Sequence, residues 1–292
     1  MRVVSAEQSE PQGVPGVAGL SLGSARSVLL TVLGELVWPE DRPVWTSALL
    51  YVLKGLGIEE QTARQAIARG AAAGWISGER HGREVRWSLT EDGTQLIAEG
   101  AARVTSMSAV TTGWDGRWLT LLVTVPHTHR TTRKHLYAGL TWAGFGNPTP
   151  GVWVSPHSER RDEAARLIAE LDLTDHTLSF AGPSASIGLS DADIVDRAWD
   201  LAELRTRYAA LLDSLTDLEP EPGDPMLFTH VQVVGEWQRI PFSDPQLPAE
   251  LLPDWIGREV NARLEALREK WSPDVHARWA EINTADGVIA PG

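Results

Sequence analysis

The stretch Thr62–Leu89, TARQAIARGAAAGWISGERHGREVRWSL, decides how this chain is read. Its first half predicts a helix that starts near Glu60 and reaches Trp75, with Ala63, Ile67, Gly70 or Ala71, and Gly74 on one apolar face. The opposite face carries Gln61, Thr62, Arg64, Gln65 and Arg69, side chains whose amides and guanidinium groups reach base edges and phosphates. Its second half alternates through Trp75-Ile76-Ser77, turns at His81-Gly82 and alternates again through Val85 to Leu89, the pattern of a β-hairpin. Upstream, Val28, Leu29, Val32, Leu33, Leu36 and Val37 keep helical spacing behind Ser24 as N-cap, and Pro39 and Pro43 end that run. A second helix is expected from Thr46 to Leu56, stopped by Gly57, and Thr90 caps a fourth helix that runs to about Val104. Three helices, a hairpin and a helix are the order of a winged helix-turn-helix domain, assigned to residues 23–106.

Charge is distributed in keeping with that assignment. The chain of 292 residues carries a net −13, which by itself opposes a phosphate backbone. Between Gln61 and Trp87, however, five arginines (Arg64, Arg69, Arg80, Arg83, Arg86) face two glutamates, about +3, whereas Glu159 to Asp224 sums to about −10. One segment is therefore suited to DNA while the remainder stays acidic. There is no cysteine, which excludes disulfides, thiol nucleophiles and cysteine-ligated metals and suits a reducing cytoplasm. Residues 1–22 mix Gly, Pro, Ser and Glu without a secretory apolar run and are read as a disordered leader. No apolar stretch approaches the length that spans a bilayer, so no membrane partner is expected.

Beyond a linker at Met107 to Gly113, the pattern predicts a strand from Arg117 to Val125, a helix from His129 to Trp142 and a strand from Val152 to Ser155. A helix from Asp162 to Leu171 and a strand from Thr177 to Phe180 follow, giving β-α-β-α-β over residues 113–185 and a small α+β domain. One long amphipathic helix is expected from Asp191 to Leu218. The rest reads as helical around a proline-punctuated loop between Pro241 and Pro253, so that 190–292 forms a helical dimerisation and effector domain. The fold class is α+β.

The chain resembles the PaaX family of transcriptional regulators at Ser24-Ala25-Arg26-Ser27 with LLTVLGEL, at PVWTSALL and at TARQAIARGAAAGW. The likeness continues through Trp114-Asp115-Gly116-Arg117-Trp118, GLTWAGFGNPTPGVWVSPH and EWQRIPFSDPQLPAELLPDW, so it spans nearly everything after the leader. It implies a homodimeric repressor of aromatic catabolism genes, phenylacetate degradation in the best-known case, released from DNA by an aryl acyl-CoA such as phenylacetyl-CoA. It also implies a ferredoxin-like central domain of the kind found in the small CRISPR-adaptation nuclease subunit. Gly70 departs from the pattern, because relatives usually carry Leu or Met there, and a Gly inside a helix costs about 1 kcal/mol relative to Ala.

Within this frame Gln61, Thr62, Arg64, Gln65 and Arg69 are assigned to the major groove and the adjoining backbone, although a solvated helix face would carry the same residues. Arg80, His81, Arg83 and Arg86 surround the hairpin turn and are assigned to phosphates or a neighbouring minor groove, with a solvated charged turn as the alternative. Of thirteen tryptophans most are assigned to the core: Trp75 and Trp87 fix the hairpin, and Trp199 and Trp279 fall at helical spacing. Trp118, Trp142, Trp153 and Trp237 are the candidate walls of an effector pocket. Arg130, Arg133 and Lys134 are assigned to the phosphates of a CoA moiety, and His157 in Ser155-Pro156-His157 to the effector. His127 and His129, near His135 and His157, have a spacing that suits a metal, but the pattern sets no third ligand, and neither a metal nor a cofactor is assigned.

Catalysis has little to stand on. The nuclease relatives of the central fold need an acidic residue at the end of the first strand, where this chain has Val123-Thr124-Val125-Pro126. Neither a Gly-rich phosphate loop nor a Gly-x-Ser-x-Gly elbow occurs, so no hydrolase acting on nucleic acid or a CoA thioester can be assembled. The chain is read as a regulator rather than an enzyme, with control by protein partners alone as the alternative to a small-molecule effector. The Asp191–Leu218 helix and the C-terminal helices are the candidate dimer contact, and a symmetric dimer calls for an operator that is an inverted repeat.

Overall fold

The computed structural model describes residues 20, 22–108, 113–126, 129–185 and 187–284; most of the expected leader, part of the linker, and His127 lie outside them. These residues divide into two compact units. One takes the residues up to Thr105 with Leu211–Gln238 and those from Asn261 on; the other takes Ser106–Ala210 and Arg239–Val260. The C-terminal segment 190–292 is thus shared between the two. Among the described residues no helix is long and apolar enough to cross a membrane.

In the first unit, helix α1 (Ala25–Val32) starts where Ser24 Oγ accepts the Ser27 N–H at 3.2 Å, and it runs on into a π-helical turn, Leu33–Val37. A two-residue strand β1 (Val44–Trp45), too short to leave a pattern in the sequence, precedes helix α2 (Thr46–Gly55). Helix α3 (Glu60–Ala72) then ends at Gly74, whose φ of +76° lets the Trp75 N–H return to the Gly70 carbonyl at 3.0 Å. Strands β2 (Ile76–His81) and β3 (Glu84–Leu89) form the hairpin, and its turn needs Gly82 at φ +64°. The sheet runs β1-β3-β2, fully antiparallel, with Ile76 opposite Leu89 and Val44 opposite Trp87. Thr90 accepts the Gly93 N–H at 3.0 Å and so caps helix α4 (Glu91–Ser108).

Leu29, Val32 and Leu36 on the first helical run, Leu49 and Leu53 on α2, and Ala63 and Ile67 on α3 are buried. Gly70 is part of this contact: an added Cβ would lie 3.3 Å from Leu29 and 3.4 Å from Trp75, so the missing side chain makes room for both.

The second unit is built on strand β4 (Trp118–Val123), helix α5 (Arg130–Trp142), strands β5 (Gly146–Thr149) and β6 (Val152–Ser155), helix α6 (Arg161–Glu170) and strand β7 (Thr177–Gly182). The order is therefore β-α-β-β-α-β, one strand more than the sequence suggests. Gly146-Asn147-Pro148-Thr149 contains neither alternation nor a β-branched run and so carries no strand signal, yet it pairs with β6. The sheet is antiparallel in the order β5-β6-β4-β7. Leu119, Leu121, Val123 and Trp153 form a core with Leu136, Leu140, Ala164 and Ile168 of the two helices. On the other face Trp118 and Val154 join Val195 and Leu247.

The long helix expected from Asp191 to Leu218 is two helices, α7 (Asp191–Ala198) and α8 (Leu201–Leu215). Trp199 breaks it. Its backbone is extended (φ −134°, ψ 141°), and its ring stacks on Trp118 at 6.3 Å and lies against Gly146, where any Cβ would meet it at 2.5 Å. Asp200 then accepts the Glu203 N–H at 3.3 Å and starts the next helix. Partly burying an indole and gaining a new cap outweigh the continued helical hydrogen bonds. Helices α9 (Asp224–Ser243) and α10 (Ile256–Ile282) follow, separated by the proline-punctuated loop.

Candidate functional site

On α3, residues Ala63, Ala66, Ile67 and Gly70 are buried, which turns Gln61, Thr62, Arg64, Gln65 and Arg69 outward together. Burial on one side follows from packing against α1 and α2, so the polar face stands on two packed helices. Arg64 is held in place: its Nε and Nη2 donate to Glu60 Oε1 at 2.9 and 2.8 Å, and Lys54 Nζ lies 3.5 Å from Glu60 Oε2. The Arg64 guanidinium keeps the Glu60 carboxyl below its ordinary range. Arg26, at the start of α1, lies 4.4 Å over the Trp75 ring.

At the hairpin, Arg80, His81 and Arg83 are exposed, with Arg80 Nε donating to the Gly82 carbonyl at 3.3 Å across the turn. His81 lies edge-on to Trp45 at 5.7 Å, and its Nε2 is 3.4 Å from Glu79. Arg86 sits lower on the hairpin, half-buried, its guanidinium 5.5 Å from the Trp45 ring. Trp87 donates to Thr46 Oγ1 at 2.9 Å, which ties β3 to α2. Trp75 is buried, and with Trp87 it anchors the hairpin. Two residues that sequence reasoning passed over belong here. Glu60 shows the i,i+4 spacing to Arg64 as its signal, whereas Trp45 gives none, because a two-residue strand has no period.

In the second unit, Arg130, Arg133 and Lys134 come together with Tyr137 around a shallow depression of about 380 Å3 on α5. Leu136 and Leu140 face the core, which is why these cations share the outer side. Arg133 also donates to the Val125 carbonyl at 3.2 Å. Tyr137, three residues on from Lys134, packs edge-on against Trp153 at 4.7 Å. Its signal in the sequence is helical spacing alone.

The aromatic candidates fare differently. Trp142 is 51% exposed and stacks on Phe242 with ring centroids 4.1 Å apart. Trp153 is buried in the core, and Trp118 is buried with its indole N–H donating to Asp191 at 2.8 Å. Trp237 belongs to the first unit, where it is buried and donates to Asn261 at 2.8 Å. Trp279 is buried, whereas Trp199 lies between helices.

His157 is buried, with Nε2 2.9 Å from the Gln246 carbonyl and Nδ1 3.2 Å from Glu159. Burial, followed by the nearby charge of Arg160, pushes its pKa down and favours the neutral ring. His129 and His135 are exposed, and among the described residues no three His, Asp or Glu side chains converge on a point suited to a metal ion.

Comparison with known proteins follows the same segments. Residues 24–93 match the model of the PaaX-like protein, 111–193 that of the PaaX protein central Cas2-like domain, and 199–281 that of the PaaX-like protein C-terminal domain. The Transcriptional repressor PaaX of Escherichia coli (strain K12) is 29% identical over 283 residues, covering 92% of this chain and 88% of its own. Among solved structures, the uncharacterized protein Rv0674 from Mycobacterium tuberculosis superposes with a TM-score of 0.59 at 25% identity, covering 89% of this chain and 99% of its own. With three consecutive segments matched in order, the chain belongs to the PaaX family of transcriptional regulators.

Proposed function

We propose that this chain is a cytoplasmic, DNA-binding transcriptional repressor of aromatic catabolism genes, released from its operator by an aryl acyl-CoA or related aromatic effector. The observation that carries the DNA-binding reading is the outward face of α3, with Gln61, Thr62, Gln65 and Arg69 exposed above two packed helices and beside an arginine-bearing hairpin. Helix, short strand, two helices and a hairpin, with sheet order β1-β3-β2, are the parts of a winged helix-turn-helix in which α3 enters the major groove. The Escherichia coli repressor, similar over 92% of this chain, supports the same reading. Arg80 and Arg83 then meet phosphates, which set register without reading sequence.

The second unit has the strand order of a ferredoxin-like fold, and it supplies the effector surface. Arg130, Arg133 and Lys134 around their depression take the phosphates of a CoA thioester, and the exposed ring of Trp142 takes an aromatic group. Trp118, Trp153 and His157, all buried, hold the framework instead of touching ligand. The chain acts by binding and not by catalysis.

We place the second copy on the sheet of the second unit, in place of the Asp191–Leu218 and C-terminal helices expected from the sequence. Leu178 and Phe180 on edge strand β7 are 62% and 59% exposed, and Leu122 lies directly opposite Leu178 on β4, forming an uncharged apolar strip. A homodimer formed there reads an operator that is an inverted repeat.

The test of the interface is the salt dependence of duplex binding. Replacing Arg80 and Arg83 together by Ala lowers affinity evenly across sequences and reduces the slope of log K against log salt by about 1 for each phosphate that is no longer neutralised. An unaltered slope removes the hairpin from the interface.

A further inference from the structure

We infer that Glu60 is a positioning residue of the DNA-reading surface: it orients Arg64 so that the outer edge of the guanidinium faces a base, exchanging some affinity for discrimination. The inference rests on the DNA-binding reading above and concerns how that surface selects its sequence.

A guanidinium carries five N–H donors in one plane. Glu60 Oε1 takes two of them, from Nε at 2.9 Å and Nη2 at 2.8 Å. Two N–H groups on Nη1 and one on Nη2 remain, and because the group is planar, fixing its inner edge fixes the direction of the outer one. The remaining N–H of Nη2 and the N–H of Nη1 beside it form the fork that matches O6 and N7 of guanine in the major groove. Without the carboxylate, Arg64 would sample several rotamers, and binding would have to freeze them out.

The pair is poorly explained as a stabilising device. Arg64 and Glu60 side chains are 57% and 47% exposed, and an exposed i,i+4 ion pair contributes little to folding. A carboxylate on the face of a DNA-reading helix also repels phosphates, a cost that Lys54 offsets from α2 at 3.5 Å on the second oxygen. Lys54, Glu60 and Arg64 together carry one net positive charge, so the trio still attracts DNA while only the arginine is aimed.

The test uses the full-length protein and duplexes enriched by it from a randomised pool, followed by a scan of every base pair in the selected site. Glu60→Ala removes the oxygen that accepts both Arg64 N–H groups, together with its charge. The expected result is tighter binding to unselected duplex, together with a fall of about tenfold in discrimination at one base pair. Arg64→Ala is expected to lose discrimination at that same base pair, and the double variant to lose no more than Arg64→Ala alone. Melting temperatures stay within a degree or two of the unaltered protein, about what loss of an exposed pair allows.

An unchanged base-pair profile in Glu60→Ala, or a loss spread evenly over all positions, overturns the inference and leaves the DNA-binding reading intact. Failure of the unaltered protein to enrich any sequence overturns both.

Discussion

His230 Nε2 lies 2.9 Å from Glu35 Oε1 with both side chains buried, and Arg268 Nε reaches the same carboxylate at 3.0 Å. This triad joins the π-helical turn after α1 to helices α9 and α10 within the first unit. Burial alone would raise the Glu35 pKa, but the His230 hydrogen bond and the Arg268 charge outweigh it and hold the carboxyl below its ordinary range. A carboxyl whose pKa is lower folded than unfolded stabilises the fold above the unfolded value, and that contribution is lost as pH falls through the folded one. Glu35→Gln is therefore expected to cost about 3 kcal/mol near neutral pH, with the gap to the unaltered protein closing as the medium is acidified below the ordinary carboxylate range. Denaturant titrations at a series of pH values measure it, and a gap independent of pH contradicts it.

Gly144 and Arg160 make a second fixed point. Gly144 adopts φ +77°, and an added Cβ would overlap Arg160 Nη1, which donates to the Ala143 carbonyl at 2.9 Å. Gly144→Ala combines left-handed strain with displacement of the guanidinium, and a loss of about 2 kcal/mol is expected. Because part of the cost is the clash, Arg160→Ala should relieve it, so the double variant loses less than the two single losses added together. Strict additivity in urea unfolding contradicts the coupling.

The first unit is largely legible in the sequence because its signals are local. Periodicity marks α1 to α3, Ser24 and Thr90 act as caps, and Gly82 places the turn. What escapes depends on partners far away along the chain. The Asp191–Leu218 pattern is helical throughout, yet Trp199 leaves the helix to reach Trp118 and Gly146, neither of which the local spacing announces. His157 reads as a ligand contact in the sequence, whereas it bonds the backbone of Gln246, 89 residues later. The cations of α5 are recognisable individually, but their joint depression requires knowing that Leu136 and Leu140 face inward.

The proposed effector surface predicts a separation of functions. Arg130→Ala with Lys134→Ala should weaken binding of a phenylacetyl-CoA probe at least about tenfold, the scale of losing charge-assisted hydrogen bonds, and leave DNA affinity unchanged. Calorimetry with the thioester and with the free aromatic acid checks it. Equal heats for the double variant and the unaltered protein would remove α5 from the effector site.

The apolar strip on β7 predicts the assembly state. Leu178 and Phe180 are exposed on an edge strand whose residues carry no charge, so Leu178→Asp with Phe180→Asp should yield monomers that remain folded. Light scattering coupled to gel filtration decides between monomer and dimer, and a dimer of undiminished stability places the interface elsewhere.

The most direct measurement is a footprint on the duplex upstream of this chain's own gene at modest ionic strength, run with the unaltered protein and with Arg69→Ala. Protection of an inverted repeat is predicted, with affinity reduced about tenfold or more in the variant while its melting temperature holds. A blank footprint from the folded, unaltered protein, or protection indifferent to Arg69, would contradict the account.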